Sequence, residues 1–252
     1  FFSFNSGAYC IHIPKESYLN ITHGSNWKQK ASQNALMNNP SDIHYTAIYS
    51  LSSSDIEKIR QLILEMIYTA QSGHPGGSLS LVEILLALFD SQEGIFRKNK
   101  DRFILSKGHG VPAVYAIMHT ELNILSLSEL MTLRKLNSPL QGHPDRVKMP
   151  FLETSTGSLG QGASVAQGLA MTLPDSFVYC IVGDGELQEG QIWEAVIFAA
   201  AKKVDNLIVT VDWNDAQIDG STQEVCDLGD LNAKFKAFGW EVMNMNGNVM
   251  ED

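Results

Sequence analysis

Hydrophobic and polar positions divide the chain near residue 50. Beyond it, Ile56, Ile59, Leu62, Ile63, Met66, Ile67 and Ala70 recur at helical spacing. They predict a helix opened by a Ser54/Glu57 capping box and closed at Gly73. A second capping-box pattern, Ser80 with Glu83, precedes Leu81, Ile84, Leu85, Leu88 and Phe89 and predicts another helix. Arg102-Phe103-Ile104-Leu105 reads as a short strand, followed by an apolar helix through Met118. Ser126 and Glu129 open a further short helix. Ala163, Ala166, Gly168 and Ala170 mark a small-residue helix, Ala163 to Leu173, able to pack closely on a sheet or another subunit. The run Val178-Tyr179-Cys180-Ile181-Val182 turns at Gly183-Asp184-Gly185. A helical pattern then runs from about Glu189 to Lys203, before a second run, Leu207-Ile208-Val209-Thr210-Val211. Strand, turn, helix and strand make one βαβ crossover, so the predicted class is α/β, a parallel sheet flanked by helices.

Before residue 51 no period is sustained. Phe1 to Ser50 is rich in Asn, Ser, His and Tyr and lacks the basic start and apolar centre of a signal peptide. It reads as an irregular extension over 1–50, ahead of one domain over 51–252. Phe1 in place of Met makes an incomplete gene product the expectation.

Chemistry concentrates at the strand ends. In a parallel sheet the C-terminal ends share one edge, where open α/β folds bind ligands. Asp184 and Asn214 lie there, separated by the length of a helix and a strand, so their side chains can converge. A carboxylate, an amide oxygen and a nearby backbone carbonyl are hard donors suited to Mg2+ or Ca2+, with diphosphate oxygens completing the shell. The glycines flanking Asp184 allow close approach to phosphates.

Composition narrows the classes. A 252-residue chain with 44% hydrophobic residues can bury a sizeable core. A net charge of −10 argues against a nucleic-acid surface, and no apolar run reaches the length of a membrane span. Three isolated cysteines, Cys10, Cys180 and Cys226, fit a reducing cytoplasm rather than a disulfide scaffold.

Several loops carry glycine and histidine together: Ser72-Gly73-His74-Pro75-Gly76-Gly77, Ser106-Lys107-Gly108-His109, Gly142-His143-Pro144, and Thr154 to Gly162. Gly183-Asp184-Gly185 with the distant Asn214 resembles the thiamine diphosphate fingerprint. Taken in order with Gly183 to Gly190 and Asp212 to Gly220, these words resemble the N-terminal half of transketolase over roughly Leu51 to Asp252. The match implies the diphosphate-binding domain of a split enzyme.

The resemblance implies roles residue by residue. Asp184, Asn214 and the carbonyl of Ala216 would hold the divalent ion. Gly157, Ser158, Leu159, Gly183, Gly185, Glu186 and Ile218 would line the thiamine diphosphate, joined by Asp184, Asn214 and His109. His74, His109 and His143 would face the reacting carbon. Glu189 would stand at a subunit contact, near a partner carboxylate that activates the aminopyrimidine. His12, His23, His44 and His119 read instead as solvated residues or backbone hydrogen-bonders. Trp213, Gly110 and the short segment from Asp90 to Asp101 depart from relatives. The end at Asp252 also leaves out a region where relatives place another active-site histidine.

The implied reaction is transfer of a two-carbon ketol unit from a ketose phosphate to an aldose phosphate. The cofactor supplies the electron sink, while neutral imidazoles exchange protons with sugar hydroxyls. The implied partner is a C-terminal chain carrying the pyrimidine-binding domain, with a homodimer of this chain inside a heterotetramer. Two alternatives stay open: part of another thiamine diphosphate enzyme, one that uses 2-oxo acids, or a non-catalytic cofactor-binding homologue.

Overall fold

A computed structural model describes residues 7–12, 53–90 and 94–249. A five-stranded sheet runs through its centre. Strands β2 (Arg102–Leu105), β3 (Val178–Gly183) and β4 (Leu207–Trp213) lie parallel side by side. β1 (Gly7–His12) is antiparallel to β4, and β5 (Glu241–Met245) is antiparallel to β1. The order is therefore β2-β3-β4-β1-β5. Within the segment expected to be irregular, Gly7–His12 is thus a sheet strand. It is antiparallel in an otherwise parallel sheet, and the rest of 1–50 lies outside the described residues.

Strand periodicity sends alternate side chains to opposite layers. Tyr179 and Ile181 face a core built with α1 (Ser53–Ala70), α3 (Val82–Phe89) and α4 (Val111–Thr120). Val178, Cys180, Val182, Val209 and Val211 face a second core with α6 (Gln161–Thr172), α7 (Gly190–Ala201) and α9 (Leu231–Ala237). Helices on both faces of a sheet give the three-layer α/β arrangement expected from the sequence. The short helices α2 (Pro75–Leu79), α5 (Leu127–Leu130) and α8 (Thr222–Cys226) punctuate the loops.

Local signals hold unevenly. Ser126 and Glu129 form the expected reciprocal capping box, and Ser221 with Glu224 forms one that the sequence pattern did not single out. The expected Ser80/Glu83 box is not made, and the cap position of α3 falls on Leu81. Ser80 Oγ donates instead to Asp212 Oδ2 at 2.6 Å, and Glu83 accepts from Arg60 at 2.6 Å. The side chain of Ser54 lies outside the described residues.

Candidate active site

Three consecutive strands end at one edge. β2 delivers Ser106-Lys107-Gly108-His109, β3 delivers Gly183-Asp184-Gly185, and β4 delivers Asp212-Trp213-Asn214. The register pairs Gly183 with Asp212, so the turns after β3 and β4 start level. Asp184 is buried. Its Oδ2 accepts from the amide of Asp215 at 2.6 Å and its Oδ1 from the amide of Gly185 at 2.8 Å. The Asn214–Asp215 peptide therefore lies against the Asp184 carboxylate. Asp215 adopts a left-handed φ of 53°, and its side chain accepts from Thr222 Oγ1 at 2.6 Å. Asn214 Oδ1 accepts from the Ala216 amide at 3.0 Å in an Asx turn.

This corner fits a hard divalent cation. Each carboxylate oxygen of Asp184 keeps a free lone pair after its single amide bond, as does the amide oxygen of Asn214. Burial pushes the Asp184 carboxyl up to about 6, against the lowering effect of the Gly185 and Asp215 amides. A cation beside it would favour the ionised form. Among the described residues no group of three His, Cys, Asp or Glu side chains is placed to hold a metal. A metal at this corner would therefore need oxygen donors besides carboxylates, and the Asn214 amide oxygen is one beside Asp184.

The histidines gather on the β2 side. His74 and His109 meet edge to face with centroids 5.2 Å apart. A Cβ at Gly77 would stand 3.0 Å from His109 Cδ2. His143 packs on Gly157, whose own Cβ would lie 3.3 Å from the ring. Gly157 in turn abuts Gly108, where a Cβ would be 3.0 Å from the Gly157 nitrogen and 2.8 Å from Thr156 Oγ1. Thr156 Oγ1 donates to the Leu105 carbonyl at 2.7 Å, pinning this loop to the end of β2. Burial, then the Lys107, His74 and His143 charges, push His109 down to about 3. Burial, then Arg134, lower His74 and His143. All three rings are held toward the neutral form, able to donate and to accept at neutral pH.

A cavity of about 550 Å³ opens around His143, lined by Arg134, Gln141, Gly142, Pro144, Asp145 and Ser155. It lies beside the histidines and does not include Asp184. Arg134 lies so close over Gly142 that a Cβ there would collide with its guanidinium group.

The other expected residues take different places. Glu186 turns inward: its carboxylate accepts from Ser106 Oγ at 2.5 Å and from the Gly160 and Gly183 amides at 2.7 and 3.0 Å. It clasps the 157–160 loop to the turn after β3, and burial raises its carboxyl. Ser158 is exposed, and Leu159 is half-buried with its carbonyl taken by Gln191 Nε2 at 2.6 Å. Ile218 is 91% exposed. Glu189 is exposed at the cap position of α7 and makes no side-chain cap bond there. His119 bonds the Leu125 carbonyl at 2.7 Å, the backbone role expected of it. Lys107 and Asp212 stood inside the quoted words without a role, and Arg134 was not named from the sequence. Asp212 had a legible signal, an acidic residue on the inward face of a strand.

The sequence family described as transketolase, thiamine diphosphate binding domain, matches residues 51–251. The chain belongs to the transketolase family. It is 43% identical to the 6-deoxy-6-sulfo-D-fructose transketolase subunit SqwG of Clostridium sp. (strain MSTE9), covering 77% of this chain and 74% of that protein. It is 39% identical to an apulose-4-phosphate transketolase subunit of Phocaeicola vulgatus, covering 78% and 72%. Among solved structures, transketolase from Leishmania mexicana superposes with a TM-score of 0.63 at 32% identity, over 74% of this chain and 30% of that one. The chain thus spans most of the length of these two transketolase subunits. It spans only about a third of human transketolase, to which it is 39% identical over 33% of that protein's length. In this transketolase-family chain the sheet edge carries the Gly-Asp-Gly and Asn words, and among the described residues no helix is long and apolar enough to cross a membrane.

Proposed function

We propose that this chain supplies the diphosphate- and metal-binding half of a transketolase, with residues 51–252 as its binding domain. The complete enzyme moves a two-carbon ketol unit from a ketose phosphate to an aldose phosphate. The observation that carries the proposal is the corner where the buried Asp184 carboxylate meets the Asn214–Asp215 peptide. Asp184, Asn214 and the Ala216 carbonyl hold Mg2+ or Ca2+. Gly157 and Gly185 leave room for the diphosphate, and Leu159 and Ile218 lie on the adjoining loops. Thiamine diphosphate, when bound there, would supply a nucleophilic carbon and, in its cationic ring, the sink for the electrons of the broken carbon–carbon bond.

The chain's own residues orient the sugar and manage its protons. His74 and His109 present neutral rings to its hydroxyls, each able to donate a hydrogen bond at one ring nitrogen and accept one at the other. His143 faces the adjoining cavity, where the rest of the sugar is accommodated. Glu189, exposed at the start of α7, faces a partner chain that carries the pyrimidine-binding domain. The assembly is a heterotetramer around a homodimer of this chain, working in the cytoplasm in carbohydrate metabolism of the pentose phosphate type. The similarity to two proteins named as transketolase subunits supports a two-chain enzyme.

Calorimetry of the chain with thiamine diphosphate and Mg2+ tests the first half of the proposal, with Asp184→Ala as control. Mixing with the pyrimidine-domain partner and offering xylulose 5-phosphate or pyruvate as donor tests the second. Ketol transfer from the sugar alone is expected. Turnover of pyruvate in its place, or equal cofactor binding by the Asp184→Ala chain, overturns the assignment.

A further inference from the structure

Beneath the candidate ligands lies a charge pair that the proposed chemistry does not require. Lys107 and Asp212 are each about 1% exposed, and Lys107 Nζ is 2.6 Å from Asp212 Oδ2. Ser80 Oγ donates to the same oxygen at 2.6 Å, while Asp212 Oδ1 has no hydrogen-bond partner. The pair crosses the sheet. Lys107 follows β2 and Asp212 belongs to β4, so the lysine stem runs over the end of β3. A Cβ at Gly183 would be 3.7 Å from Lys107 Cβ and 3.8 Å from its Cδ.

Such a pair is poor evidence for stability. Desolvation offsets most of the attraction, and apolar side chains of similar volume are often as good or better in its place. What a buried pair can supply is a fixed span, because drawing either charge away from the other leaves it buried and uncompensated. Here the span joins three segments. Ser80 lies three residues beyond Gly77, the glycine against which His109 packs. Lys107 lies two residues before His109, and Asp212 two before Asn214.

We infer that Lys107 and Asp212, with Ser80, are positioning residues that set the distance between the His74–His109 face and the Asp184–Asn214 corner, so that one ligand reaches both. This rests on the reading that the corner takes a diphosphate and a divalent cation. The lysine charge is also among the influences holding His74 and His109 neutral.

The test compares the full chain with the double variant K107M/D212L and with S80A. The double variant removes the pair as a unit and leaves no lone buried charge. It is expected to unfold near the wild-type temperature, yet to bind thiamine diphosphate at saturating Mg2+ about tenfold more weakly or worse by calorimetry. S80A is expected to weaken binding to a smaller degree in the same direction. A merely structural pair would shift the unfolding temperature and leave affinity alone. A folded double variant with wild-type affinity overturns the inference, and if that variant does not fold, wild-type affinity in S80A does so. Should the wild-type chain bind no thiamine diphosphate even with its pyrimidine-domain partner present, the functional reading falls and nuclear magnetic resonance decides the positioning claim. The His109 ring and Asn214 side-chain signals of S80A must then both move from their wild-type places. If both stay, the inference is overturned.

Discussion

Replacing Glu186 separates two jobs that a buried carboxylate beside a ligand pocket can do. Its oxygens hold Ser106 Oγ and the amides of Gly160 and Gly183. In Glu186→Ala the serine hydroxyl can rotate away, but the two amides are left without an acceptor. Orphaned buried donors cost about 1–3 kcal/mol each, so the two together cost about 2–6 kcal/mol. Relief from burying a carboxylate offsets part of this, leaving about 3 kcal/mol. With a urea slope of about 2.5 kcal/mol/M, the unfolding midpoint falls by about 1.2 M. Glu186→Gln keeps one acceptor oxygen but sets its amide against the Gly183 N–H, so its midpoint falls about half as far. Urea titration followed by tryptophan fluorescence and circular dichroism measures both. An alanine variant as stable as wild type but unable to bind thiamine diphosphate would refute the clasp and make Glu186 a ligand contact.

The remaining predictions concern neighbouring residues. Asp184→Ala and Asn214→Ala should each abolish Mg2+-dependent thiamine diphosphate binding in calorimetry, and a chelator should do the same to wild type. His109, with a folded-state pKa of about 3 against an ordinary value of 6.5, binds its proton more readily in the unfolded chain. Its contribution to stability is therefore complete above about pH 6.5 and is lost as the pH falls toward 3, at up to about 1.4 kcal/mol per unit. His109→Gln should flatten that part of the stability–pH curve, measured by urea melts from pH 7 to 4.5; an unchanged slope would count against a buried neutral ring. Gly162→Ala would put a Cβ 2.5 Å from Ser106 Oγ and 2.7 Å from its Cα, so a loss of about 3 kcal/mol in a thermal melt is expected. Ser126→Ala, which removes a cap seen in full, should cost about 1 kcal/mol.

What the sequence disclosed follows from the range of the interactions involved. The βαβ unit was readable because the 178–182 and 207–211 runs are largely apolar and bounded by Gly and Asn, signals that act within a few residues. The Ser126 cap was readable for the same reason. Ser80 carried the same local pattern and failed, because a partner 132 positions away in sequence, Asp212, took its hydroxyl. Strand β1 left no periodic trace, since its place depends on pairing with β4 rather than on its own alternation. At the site, glycines and histidines in motif could be named in advance. Which of them touch, and that Glu186 turns inward, depended on how far loops from separate strands lean over one another. Lys107 had no role in the sequence reading, because its partner Asp212 lies 105 positions further along the chain.

The candidate site draws on positions 74, 109, 143, 157, 184 and 214, stretched across more than half of the polypeptide, and no two neighbouring turns supply it. Contacts so distant in sequence close slowly and late. A ligand recognised only by the finished arrangement ties its binding energy to the whole domain rather than to any one loop. Occupancy then guards against unfolding everywhere at once, and a fragment cut anywhere between residues 110 and 180 loses recognition outright rather than by degrees.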